Sequence, residues 1–258
     1  MLFKAFISVL ALSLLVPIAR AETLAKTYPV KNFSEFSAGG GTKIEITQDG
    51  TEHLRIEADA EVMKRVKVDQ TGKRVSVWVK SDNGFFNWFG QGDDRVKIVL
   101  RVKQLEYLEL SGGAYAKVGD LKSANLAISN SGAAEADFAD ISANQLRVDL
   151  SGAAKMSAKR VISQSQSYEL SGASDAKIKD SSNTQSLQVH ASGASNLRAE
   201  KLIANRAKLE ASGASQIEVS VTEEMDAQAS GASNIDYYGN PKVKTDASGA
   251  SNIKAHKD

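Results

Sequence analysis

The chain of 258 residues has no cysteine, only two tryptophans and three histidines, and almost no excess of either charge. Without cysteine there are no disulfides, even on an export route that would permit them. The histidines, His53, His190 and His256, stand on separate segments with no His-Glu-x-x-His spacing. No zinc site is therefore expected. No Gly-x-x-x-x-Gly-Lys phosphate loop and no Gly-x-Ser-x-Gly elbow occurs, so neither a nucleotide cofactor nor a serine hydrolase is indicated. We expect no metal and no cofactor. The formal net charge is +1. Nucleic-acid binding needs a basic footprint, which this balance does not supply.

Apolar runs are short. The longest, Ala5 to Val16, follows Lys4 and precedes Ala19-Arg20-Ala21. A basic start, a brief apolar core and a small-residue step describe a cleaved secretory signal over residues 1–21. It is too short for a membrane-spanning helix, and no later stretch is longer. Removing Lys4 and Arg20 leaves 30 basic and 31 acidic residues. No cysteine follows the cleavage step to carry a lipid. The expected address is the periplasm, with release or surface display as the other outcomes.

What the chain has in abundance is a repeat. Ser-Gly recurs at Ser111, Ser131, Ser151, Ser171, Ser192, Ser212, Ser230 and Ser248, at spacings of 20, 20, 20, 21, 20, 18 and 18 residues. Relative to each serine, offsets −3, −1, +3, +5 and +7 are small or apolar. Around Ser131 they are Ile128, Asn130, Ala134, Ala136 and Phe138; around Ser212 they are Leu209, Ala211, Ser215, Ile217 and Val219. Offsets −2, +4 and +6 are polar almost throughout. Period-two alternation predicts strands with one buried face. It keeps phase through the Ser-Gly step, so that step reads as a corner or bulge, where glycine is favoured. A polar corner, such as Gly119-Asp120 or Asp180-Ser181-Ser182-Asn183, should close each unit. Constant repeat length favours stacked parallel coils over hairpins. The predicted fold is all-β: a right-handed parallel β-helix of about 20 residues per coil, since parallel crossovers are nearly always right-handed.

One domain is expected over residues 22–258, with an irregular part at 27–104 and regular repeats at 105–258. In the irregular part Ile44 and Ile46 alternate, as do Val75, Val77 and Val79, and Ser37-Ala38-Gly39-Gly40-Gly41 resembles a degenerate corner. End units of solenoids are atypical because they cap an open core.

Stacking turns offsets into columns, where a binding row should be visible. Offset −2 reads Glu109, Ser129, Asp149, Glu169, His190, Glu210, Gln228, Asp246. Asp149 and Glu169 are its adjacent acids. They are the candidate residues for an alternative function, a polysaccharide lyase or hydrolase. Offset +6 places Lys117 beside Asp137, Arg198 beside Glu218 and Asp236 beside Lys254, which predicts ion pairs between coils. Inward side chains shrink from Leu108 and Leu110 to Ala227 and Ala229, so the core should narrow toward the C-terminus. Leu209 is assigned inward.

Between two N-terminal strands, residues 81–94 carry Phe85, Phe86, Trp88 and Phe89 within five positions. Such clustering reads either as an exposed contact for a partner or membrane surface, or as a flap over the end of the solenoid. These four are the candidate binding residues, with a glycan or an envelope protein as the candidate partner. Self-assembly into a structural homo-oligomer is a third possibility.

Three stretches besides the repeats carry a family resemblance. They are Phe33-Ser34-Glu35-Phe36 leading to Gly41-Thr42-Lys43-Ile44-Glu45-Ile46-Thr47-Gln48; Val96–Val102 running into Leu105-Glu106-Tyr107-Leu108-Glu109-Leu110-Ser111-Gly112; and Ile235-Asp236-Tyr237-Tyr238-Gly239-Asn240-Pro241-Lys242-Val243. Over residues 28–254 the chain resembles the head GIN domain family of putative autotransporter adhesins. The resemblance implies an exported bacterial β-solenoid with no established activity, and it brings no functional residues. An autotransporter also needs a membrane barrel after its passenger, and none is expected after Lys257-Asp258.

Overall fold

The computed structural model describes residues 23–80 and 96–256. The N-terminal part contributes β1 (Thr23–Tyr28), β2 (Glu35–Ala38), β3 (Lys43–Gln48), β4 (His53–Asp59), α1 (Ala60–Arg65), β5 (Val66–Thr71), β6 (Arg74–Val79) and β7 (Lys97–Val102). The repeats contribute β8 (Tyr107–Leu110), β9 (Tyr115–Val118), β10 (Leu121–Asn130), β11 (Glu135–Leu150), β12 (Lys155–Leu170), β13 (Asp175–Ile178) and β14 (Ser182–Ala191). β15 (Asn196–Ala211), β16 (Gln216–Ala229), β17 (Asn234–Tyr238), β18 (Lys242–Ala247) and β19 (Asn252–His256) complete them. From β8 onward every pairing is parallel, as in Ile128 opposite Val148 and Val148 opposite Tyr168. Equal offsets of successive coils face each other except in β15–β16, where the register shifts so that Ile203 faces Ser220 and Ala204 faces Val221. The chain is a β-solenoid of about eight turns of roughly 20 residues.

One coil shows how the sequence builds the shape. In β11 buried and exposed positions alternate, except that two outward residues adjoin at Ala139-Asp140 and again at Asn144-Gln145. Each adjacent outward pair turns the strand without breaking its ladder. A coil therefore has three faces: Glu135–Phe138, then residues 140–143, then 145–150. The short middle face was not anticipated. Where a four-residue corner was expected at Asp180–Asn183, β14 already begins at Ser182, which is buried.

The third turn is the Ser-Gly step. Its glycines all have positive φ, from 69° at Gly112 to 76° at Gly172. Space compels glycine as strongly as φ does: a Cβ on Gly172 would stand 2.5 Å from the carbonyl oxygen of Gly152. Coils touch backbone to backbone here. The amide two residues after each serine donates to the preceding glycine carbonyl, as in Ala133 to Gly112 and Ala194 to Gly172, both 2.7 Å. The sheet thus runs through the corner with its polar groups satisfied.

The core does not simply narrow. The −1 column falls from Leu110, Leu150 and Leu170 to Ala191, Ala211 and Ala229, while the +5 column rises from Ala116, Ala136 and Ala176 to Leu197, Ile217 and Ile235, all buried. Volume lost on one side of the corner is restored on the other, as dense packing requires. From the coil of Ser171 onward, one coil before the exchange, serine holds offset +3 in place of alanine. Ser195 donates to the carbonyls of Leu170 (3.3 Å) and Ser192 (2.9 Å), and Ser233 to those of Ala211 (3.1 Å) and Ser230 (2.9 Å). Leu209 is fully buried, as assigned.

The N-terminal part adds a coil of its own. β2 and β3 stack on β8 and β9, and Gly113 donates to the Gly40 carbonyl at 2.9 Å, so Ser37–Gly41 is a corner of the same ladder. β6 and β7 stack in parallel on the far side of β2 and β3. Antiparallel strands then finish both faces: β5 on β6, and β4 on β7 with β1 beyond it. Helix α1 joins β4 to β5, and its Val62 and Met63 pack against the core.

Candidate binding surfaces

Pairing register shows where the aromatic segment enters. Val77 lies opposite Ala38, and Lys97 opposite Lys43. In the β2–β3 coil the four residues 39–42 join those positions; in the β6–β7 coil residues 78–96 do. The segment therefore stands in the chain at the place where other coils have a Ser-Gly corner. Phe85, Phe86, Trp88 and Phe89 themselves lie outside the described residues, as does the segment 1–21 expected to be a signal. Of the flanking residues, Trp78 is 45% exposed on β6, opposite Lys67 of β5, whereas Val96 is buried.

Three acids of the −2 column, Glu109, Asp149 and Glu210, have cationic partners. Asp149 and Glu169 are register neighbours on an open face. Both carboxylate oxygens of Asp149 accept from Arg147, two residues earlier, at 3.0 Å. Glu210 accepts from Lys208 at 2.8 Å and meets His190 Nδ1 at 3.0 Å, and these contacts, the lysine first, hold its carboxyl below the usual range. Arg74 reaches Glu35 at 2.9 Å and Glu109 at 3.6 Å and lies over the Tyr107 ring. Arg147 and Lys208, at −4, thus pair with the acids at −2 of their own strands, while Arg74 reaches across strands.

The inter-coil pairs expected at +6 do not form. Lys117 and Asp137 are register neighbours, as are Arg198 and Glu218, and Asp236 and Lys254. Yet Arg198 donates to both oxygens of Asp175 at 2.6 Å, Asp137 accepts from Tyr115 at 2.9 Å, and Asp236 meets His256 Nε2 at 2.6 Å. Long side chains lean along the strand and find diagonal partners, which adjacency of columns does not specify. Glu218 accepts from Gln216 at 2.6 Å but stands close to two acids. Burial, then Glu200 and Asp236, push its carboxyl above the usual range. His256 also stacks on Tyr238, centroids 5.0 Å apart.

The middle face produces a concavity that column reading passed over. Offsets −9, −8 and −7, from the coil of Ser131 to that of Ser212, line a groove of about 560 Å³. Its floor is the buried row Ser123, Ala143, Ser163 and Thr184; its rim is Asn144, Gln164, Gln185 and Asn205. The floor hydroxyls are tied down locally, Ser123 to the Asn125 carbonyl at 2.8 Å and Thr184 to the Ser186 carbonyl at 3.1 Å. On the rim, Asn205 donates to Glu223 at 2.7 Å. The signal was present in the sequence as four amides at one offset, but only the extra face makes them a rim.

Among the described residues no group of three histidines, cysteines or carboxylates is placed to hold a metal, and no helix is long and apolar enough to cross a membrane.

A family profile described as "Putative auto-transporter adhesin, head GIN domain" matches residues 32–241. Solved structures share the fold. A putative adhesin from Parabacteroides merdae superposes with a TM-score of 0.82 at 17% identity, covering 91% of this chain and 96% of that one. A putative lipid binding protein from Parabacteroides distasonis gives 0.76 at 18% identity, with 90% and 96% covered. A putative adhesin from Bacteroides fragilis gives 0.67 at 21% identity, with 92% and 98% covered. No curated protein matches the chain.

Proposed function

Since the chain belongs to the head GIN domain family, we propose that it is an exported, non-catalytic binding protein of the bacterial envelope. In this reading residues 1–21 are a cleaved signal, residues 22–258 form one solenoid domain, and the periplasm or cell surface is the place of action. The observation that carries it is that residues 78–96, which concentrate the chain's aromatics, stand in the chain where other coils have a Ser-Gly corner. A contact for a partner is inserted where the scaffold is otherwise invariant. Phe85, Phe86, Trp88 and Phe89 supply large apolar area, the usual anchor of recognition surfaces. The candidate partners are an envelope glycan or an envelope protein.

The test is co-sedimentation of the mature protein with purified sacculi and with outer-membrane vesicles. Changing all four aromatics to serine should weaken binding at least tenfold. Equal retention of wild type and variant, or no retention of wild type on either, overturns the reading. Acrylamide quenching supplies a direct readout: Trp88→Phe should remove a readily quenched signal, leaving that of Trp78.

A second reading, a structural homo-oligomer, has one observation in its favour. Among the described residues β18 and β19 carry no strand on their far side, and Val243 is 44% exposed there. Unpaired edges invite a second copy. Mass that rises with concentration in light scattering supports it; a monomer throughout removes it.

A further inference from the structure

We infer that the groove of the middle face is a binding site for a neutral, linear, β-linked polysaccharide lying along the solenoid axis. The inference deepens the binding reading above but stands on a different surface from the aromatic segment.

Three properties of the groove select the ligand. The first is charge. Lys122, at one end, is the sole charged residue in the lining; the rest are amides, hydroxyls, an alanine and an isoleucine. A polyuronate or phosphate polymer would find no row of cations, whereas hydroxyl-rich neutral chains need none. The second is unspent hydrogen bonding. The side chains of Asn144, Gln164 and Gln185 are exposed and make no hydrogen bond among the described residues, although each stands beside another amide. An amide offers one acceptor and two donors, which matches a pair of neighbouring sugar hydroxyls. Had these amides served only the fold, they would bond to one another as a ladder. Instead Ser123 and Thr184 on the floor bond to backbone, and of the four rim amides Asn205 alone is engaged, by Glu223.

The third property is period. Coils follow one another about 4.8 Å apart. A β-1,4-linked pyranose chain advances by nearly this distance per sugar, so one residue falls over each coil and one amide beside each residue. Such a chain also turns the same face toward a surface at every second sugar. In the row at offset −9, Ile162 in the lining and Ile203 just beyond it are 44% and 46% exposed and stand two coils apart, with Asn183 between them in register. They offer apolar platforms to alternate sugars, and Asn183 meets the intervening one. The volume, about 560 Å³, lies within the range of small-ligand sites.

The test is calorimetric titration of the mature protein with cellohexaose, chitohexaose and a galacturonate hexamer. At least one neutral hexasaccharide should bind, and its trisaccharide at least tenfold more weakly, because the site spans several coils. Replacing Asn144, Gln164 and Gln185 together by alanine should weaken the hexamer at least tenfold with the circular dichroism spectrum unchanged, since all three are exposed. The double variant Ile162→Ser, Ile203→Ser should weaken it independently. The serine variant of the four aromatics should bind as wild type does, which separates this site from the one proposed above. No heat with either neutral hexasaccharide, preference for the galacturonate, or unchanged binding by the amide variant overturns the inference.

Discussion

At its N-terminal end the stack is closed by antiparallel β1, β4 and β5 and by a helix whose Val62 and Met63 sit on the core. At its C-terminal end β18 and β19 stand as a bare coil, every residue of β18 exposed. The same offsets that are sealed in the middle of the molecule are therefore wet at one end. The comparison teaches that burial in a solenoid is a gift of the next coil rather than a property of the residue. Val243 and Leu187 share offset −5; Leu187 is buried and Val243 is 44% exposed.

The largest expected effect follows directly. Leu209→Asp should cost about 4 kcal/mol or more, because it buries an unpaired charge. Val243→Asp should cost less than about 0.5 kcal/mol, as exposed changes do. Urea titrations of both variants check the contrast, and equal losses would mean the terminal coil is covered in solution.

Gly172→Ala against Gly40→Ala sharpens the same comparison at the corner. Both glycines have positive φ, 76° and 78°. The strain alone is worth about 1–2 kcal/mol in either place. At Gly172 the new methyl also meets the Gly152 carbonyl at 2.5 Å, while at Gly40 nothing described lies within 4 Å. The Gly172 variant should lose clearly more in thermal melts. If the two lose equally, crowding between coils contributes nothing.

A smaller effect comes from the middle coils. Tyr168 is buried, donates to Gln166 Oε1 at 2.9 Å, and has its phenol driven far above the usual range by burial. Tyr168→Phe should cost about 1–2 kcal/mol by orphaning the amide oxygen. Adding Gln166→Leu should recover most of it.

The smallest effects concern pH, where the ends have opposite signs. Near the N-terminal end the Asp49 carboxyl is held low by Thr51 and Arg101, and that of Glu52 by the Asn32 and Phe33 amides and Lys103. Depressed carboxyls stabilise above their unfolded values, near 4, and lose that contribution as pH falls through the folded ones. Near the C-terminal end Glu218 is raised. Its contribution is present below the unfolded value and lost as pH rises through the folded one. Hydrogen exchange at pH 7 and at about pH 3, below the ordinary carboxylate values near 4, should show the β3–β4 turn opening in acid and the β16–β17 pair tightening. Glu218→Gln should abolish the second change and leave the first.

Much of the fold was legible because strand alternation and a fixed repeat are local statements. The eight Ser-Gly corners, the degenerate corner at Ser37–Gly41 and the inward place of Leu209 all follow from counting. The surfaces were less legible. Ion pairs read from adjacent columns gave way to diagonal ones, since Arg198 has the reach to choose Asp175 over its neighbour. The groove was missed because two outward residues in a row, such as Asn144-Gln145, look like any polar corner until they are seen to turn a third face.

By itself the sequence determined the architecture: period two for the strands, a period of about 20 for the coils, and glycine where backbones meet. Tertiary structure alone decided that the aromatic segment stands in the chain where other coils have a Ser-Gly corner, that core volume shifts from the −1 to the +5 column, and that four amides line one groove. Those outcomes depend on which residues face each other across coils. That is set by the sum of turns around three faces, which no single stretch of chain contains.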